Sequence, residues 1–164
     1  MPFTPFHFGP SATLAIPLYK KIDVFVFVLA NVIIDLEPLL VMTNKLNYPL
    51  HGYAHTFIGA AALGTALGFT AWTFRNPIKT IMQDIFKFPY EPSKSKMILS
   101  GILGTSFHVL LDSPLYTDIK PFYPVTTNPM YGLISHSTMY ILCAFFFVPA
   151  FGLYGYRVTK NKST

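Results

Sequence analysis

The stretch HGYAHTFIGAAALGTALGFTAWTF, His51 to Phe74, opens with two histidines four residues apart and then runs to its end without a charged side chain. Glycine and alanine crowd its middle, from Gly59 to Gly68, and make the small-residue surface on which a second helix can approach closely in lipid. A run this long and apolar is a candidate for crossing a hydrocarbon core about 30 Å thick. Two titratable imidazoles at its mouth set it apart from a plain anchor.

The rest of the chain has the same character. Of 164 residues 52% are hydrophobic and only 12% charged, which moves the class to a multi-pass membrane protein. The net charge of +5 does not point to nucleic acid, because the basic residues sit between apolar runs and not on one periodic polar face. The single cysteine, Cys143, lies inside an apolar run, so an internal disulfide and a Cys-based zinc cluster are both excluded. MPFTPFHFGP has no positive n-region of a cleavable signal, so the N-terminus, with His7 in it, is expected to be retained.

Four further apolar segments accompany the third. The first, from about Phe8 to Tyr19, is too short to span as a helix. The second, Ile22 to Thr43, is long enough but carries Asn31, Asp35 and Glu37, with Pro38 expected to kink it. Met97 to Ser113 holds His108 and Asp112, and Tyr131 to Tyr156 holds His136 near its start. The expected fold is all-α: a polytopic membrane helical bundle of about four transmembrane helices plus a short N-terminal half-helix, forming one integral membrane domain over residues 1–164.

Charge counting gives the expected orientation. Placing Lys20, Lys21, the loop from Arg75 to Lys96 and the tail from Arg157 in the cytoplasm gathers ten basic residues there and leaves Lys45 and Lys120 outside. The protein is therefore expected in the cell membrane with its C-terminus cytoplasmic. That threading brings all five histidines and the acids Asp35, Glu37 and Asp112 to the outer leaflet. On a helix, residues four apart share a face, so His51 with His55, His108 with Asp112, and Asn31 with Asp35 could each hold or orient one metal. Asp35 and Glu37, two apart, would diverge unless Pro38 distorts the backbone. Imidazoles and carboxylates without thiolates suit zinc or another borderline divalent metal, and charged groups in a membrane are costly enough to be functional as a rule.

The order of His7, the Asp35–Glu37 element in IIDLEP, His55 opening an apolar helix in AHTFIGA, and His108 with Asp112 in FHVLLDSP resembles the YdjM-like family of membrane-bound metal-dependent hydrolases. The likeness covers about the first 115 residues. It implies metal ligation by His7, Asp35, His55, His108 and Asp112, Glu37 as ligand or general base, and hydrolysis of a phosphoester, since that family is grouped with zinc-dependent phospholipase C. The chain departs from the family's usual H-R-G-x-T-H-S in HGYAHT, which has one residue fewer between the histidines and no arginine. His51 and His136 are further candidates for the site.

The expected activity is thus hydrolysis of a phosphoester or lipid-like substrate at the extracytoplasmic face, with Glu37 catalytic, a divalent metal, zinc foremost, as cofactor and membrane lipid as partner. The rival is a non-catalytic small integral subunit or scaffold of a larger membrane complex, whose partners would be membrane proteins. A transporter is disfavoured by the absence of an internal repeat and by the wholly apolar run from Val24 to Ala30.

Overall fold

Pro38 breaks the second apolar segment. It has no N–H to offer the Ile34 carbonyl, which instead accepts from the Glu37 N–H at 3.2 Å, while the Asp35 N–H turns back to the Val32 carbonyl at 3.1 Å. The helix therefore tightens for one turn at Ile33–Asp35. In the computed structural model, which describes residues 5–162, this divides the segment into α2 (Val24–Ile33) and α3 (Leu36–Thr43). The start of the N-terminus expected to be retained, residues 1–4, lies outside the described part.

Before α2, a 3₁₀ turn at Pro5–His7 leads into the short α1 (Phe8–Ala15), with Pro10 in its first turn, where a missing N–H costs nothing. The third segment starts later than its histidines suggest. Residues 51–56 are not α-helical: Gly52 has non-helical dihedrals (φ −93°, ψ −140°), Tyr53–His55 is a 3₁₀ turn, and α4 (Phe57–Thr73) begins only after Thr56, whose hydroxyl accepts from the Gly59 N–H at 2.9 Å as its cap. α5 (Arg75–Thr80) runs on into a π turn at Ile81–Ile85, and this piece is bent 82° from α4. α6 (Lys94–Asp112), α7 (His136–Phe145) and α8 (Phe147–Lys162) complete the chain, and no strand occurs among the described residues.

α6 is the central element, packed against α4 on one side and α2 on the other. Glycine makes the α4–α6 approach possible. A Cβ on Gly64 would run into the Gly101 carbonyl, and one on Gly101 into that of Gly64. The Thr105 hydroxyl bridges the same contact to the Ala60 carbonyl at 2.7 Å, and the Asn31 amide ties α2 to the Gly104 carbonyl of α6 at 2.9 Å.

Among the described residues two helical runs are long and apolar enough to cross a membrane, 24–43 and 136–161, and a third if α4 and the bent piece after it count as one. That is fewer than the four expected, and α6 accounts for the difference. Its 19 residues include Lys94, Lys96, Ser100, Thr105, His108 and Asp112, and the last four of these are buried against protein. α6 needs neighbours where a lipid-facing helix would need apolar side chains. The run 136–161, in contrast, turns Ile141, Phe145, Val148 and Phe151 outward, each 64–70% exposed.

Candidate metal centre

The last turn of α6 presents His108 and Asp112 on one face, the break between α2 and α3 points Asp35 at them, and the 3₁₀ turn before α4 brings in His55. One ligand atom from each of these four buried residues lies within 4.8 Å of the others, a cluster that could hold a metal ion. His108 Nε2 stands 3.3 Å from Asp112 Oδ2 and 3.4 Å from Asp35 Oδ1, and His7 Nε2 stands 3.4 Å from Asp112 Oδ1. Ligands about 2.0–2.1 Å from a tetrahedral metal are separated from each other by about 3.3 Å, so these spacings are those of neighbouring ligands around one ion.

The other ring nitrogens fix which nitrogen faces inward. His108 Nδ1 lies 2.6 Å from the Asn31 carbonyl, His55 Nδ1 2.8 Å from Glu37 Oε2, and His51 Nδ1 2.9 and 3.0 Å from the two Asp118 oxygens. A carbonyl or carboxylate oxygen only accepts, so each Nδ1 carries a proton and Nε2 is the nitrogen left to face a metal. All three Nε2 atoms are buried and lack a hydrogen-bond partner. Buried ring nitrogens without a hydrogen bond are costly in a protein interior, and an orienting oxygen on Nδ1 with Nε2 turned inward is how metal-ligating histidines are held; His108 Nε2 already faces the Asp112 and Asp35 carboxylates that would share the ion. The residues present fit a divalent metal.

Burial holds His7 and His55 towards the neutral form, whereas His108, despite its desolvation, is raised to about 10 by the facing Asp112 and Asp35 carboxylates, so a metal there would displace a proton. His7 is held down at about 4, chiefly by desolvation and then by His108, and His55 is lowered by desolvation even though Glu37 pulls it up. A neutral imidazole is the form that ligates.

Asp35, His55, His108 and Asp112 thus come together as the sequence led one to expect. His7 joins at the edge, its Nδ1 3.1 Å from His108 Nδ1. His51 meets His55 edge to face with ring centroids 4.7 Å apart. Glu37, expected as ligand or base, uses its oxygens on the His55 ring and on the Gly52 and Ala54 N–H groups, at 3.0 and 3.1 Å, and so orients His55 and ties down its turn. His136 stays exposed at the start of α7 and touches only the edge of Tyr116, which in turn stacks on His51. Asp118 and the Asn31 carbonyl are the site residues that sequence reasoning passed over. Asp118 is an acid in the same connection as the interfacial aromatics and is foreseeable from topology; a backbone carbonyl leaves no trace in sequence.

A hollow of about 150 Å³ lined by Tyr48, His51, Tyr53, Asp118, Lys120 and Tyr123 adjoins the His51 side of the cluster. No family model, no characterised relative and no solved structure matches this chain.

Proposed function

We propose that the chain is a membrane-embedded metal-dependent hydrolase acting on a phosphoester or lipid-like substrate at the outer membrane face, with zinc as the metal. The observation that carries this reading is the set of buried imidazoles whose Nδ1 is held by an oxygen and whose Nε2 makes no hydrogen bond, with the Asp35 and Asp112 carboxylates beside that of His108. Asp35, His55, His108 and Asp112 would hold the metal, and His7 would complete the set from the N-terminal turn. When bound, the metal supplies Lewis acidity and water acidified towards neutral pH. Glu37 keeps His55 in its ligating tautomer, Asp118 does the same for His51, and Lys120 at the mouth of the adjoining hollow offers an ammonium to an anionic headgroup. The likeness to the YdjM-like hydrolases rests on the same residues and supports the same chemistry. The C-terminus is assigned to the cytoplasm by the positive-inside count.

One observation favours the rival reading. The hollow beside the cluster is small against the 300–1,000 Å³ usual for a ligand pocket, which suits a structural metal in a non-catalytic membrane subunit. The two readings part on turnover. Purified protein loaded with zinc should release p-nitrophenol from bis-p-nitrophenyl phosphate or cleave a fluorescent phospholipid in mixed micelles, and His108→Ala should abolish it. Stoichiometric zinc without turnover on either substrate class would leave the subunit reading standing.

A further inference from the structure

A second polar chamber lies at the other end of α2. Asp23 starts that helix: its Oδ1 accepts from the Val26 N–H at 3.0 Å, its Oδ2 from the Tyr90 hydroxyl at 2.6 Å, and its own N–H donates to Ser100 Oγ at 2.7 Å. Twelve residues, about 18 Å of helix, separate it from Asp35. The buried Asp23 and Tyr90 form the inner wall of a cavity of about 520 Å³, whose rim carries Lys20, Gln83, Glu91 and Lys96. Against this chamber lies a hollow of about 340 Å³ with an almost wholly apolar lining that includes Ala12, Ile16, Val28 and Leu29; the two share Val24 and Phe88 as a common wall.

The charges in the polar chamber do not cancel among themselves. Glu91 is engaged by Lys79, 3.2 Å from each of its oxygens. Asp23 is already occupied by Tyr90 and Val26, and burial pushes its carboxyl up towards the neutral form against the weaker pull of those hydrogen bonds and of Lys96, which makes no direct ion pair with it. Lys20 and Lys96 form no ion pair among the described residues. Two ammonium groups thus flank a polar hollow that continues into an apolar groove. A free anion would use only the first half of this arrangement, whereas an anionic amphiphile uses both.

We propose that the two hollows together bind one anionic glycerophospholipid of the bilayer, its phosphate against Lys20 and Lys96 and one acyl chain in the groove along α2. The site rests on the chain lying in a bilayer and is independent of any chemistry at the His–Asp cluster.

Native mass spectrometry of the delipidated full chain in detergent tests this, with dioleoyl phosphatidylglycerol and dioleoyl phosphatidylcholine offered at equal concentration. Each lysine near an anionic headgroup contributes about fivefold, so the glycerol lipid should be preferred on the order of 25-fold. Lys20→Gln with Lys96→Gln should bring the ratio close to one, and Val28→Trp, which fills the groove, should weaken both lipids and leave their ratio unchanged. Lys20 is exposed, so Lys20→Gln alone gives a folded variant that should lose about fivefold. Equal retention of the two lipids by the unaltered protein, or a preference that survives in both lysine variants, overturns the proposal.

Discussion

His51, His55 and His108 each hold one ring nitrogen to an oxygen and leave the other buried without a hydrogen bond. If that arrangement serves a metal, the orienting oxygens matter nearly as much as the ligands. Glu37→Gln should lower metal affinity about 10–100-fold, read by competition with a chromophoric chelator, because an amide can present its N–H₂ to His55 Nδ1 and turn the ring to the wrong tautomer. Unchanged affinity would remove Glu37 from the site. The metal-free protein should also lose stability in acid. His7 and His55 have folded pKa values below the ordinary 6.5, so the unfolded chain binds their protons first; the stability they allow is full above about 6.5 and is lost as pH falls through their lowered values, about 4 for His7, while His108, raised to about 10, changes its contribution only above about 6.5. Thermal unfolding after chelation should show Tm falling between pH 7 and pH 5, and His7→Gln should flatten that fall. These ligands were legible because their residue types are expensive in a membrane and therefore conspicuous. Their partners were not: Asp118 sits in a loop with ordinary reasons to be acidic, and the Asn31 carbonyl belongs to every residue type alike.

At the scale of elements, the departures from regular helix bring the ligands together. Asp35 and Glu37 would point apart on a continuous helix; the tightened turn forced by Pro38 sends one to His108 and the other to His55. Pro38→Ala should restore the i→i−4 bond to Ile34, relax the tightened turn and lower metal affinity, measured as for Glu37→Gln; an unaltered affinity would mean that packing, and not the proline, sets the break. The pairing of His51 with His55 was expected from helical spacing and is made instead by a non-helical glycine and a 3₁₀ turn, because Thr56 caps the helix and defers its start. The α4–α6 contact, in contrast, follows directly from the small residues of the opening stretch. Gly64→Leu and Gly101→Leu should each cost about 1–3 kcal/mol by overpacking, seen as a lowered Tm in detergent. Gly152→Ala on α8, where a Cβ meets nothing within 4 Å, should leave Tm unchanged or raise it.

For the whole molecule, the polar groups fall at two levels along α2: the His–Asp cluster at one end and the Asp23–Tyr90 chamber at the other. The apolar composition made an all-helical chain with candidate membrane spans legible, but it overcounted those spans, since α6 buries its polar residues between α4 and α2 and composition does not reveal which neighbours a helix will have. A metal that binds only the folded chain should stabilise it by about 2.7 kcal/mol at a hundredfold excess over Kd, so chelation should lower Tm and zinc should restore it.

The central claim is that the His–Asp cluster holds a divalent metal. Inductively coupled plasma mass spectrometry on detergent-purified protein, unaltered beside the His55→Ala, His108→Ala double variant, tests it most directly. The account predicts close to one or more equivalents of zinc or another divalent metal in the unaltered protein and loss of that metal in the variant. No metal in either after zinc has been offered, with both equally stable, would contradict it.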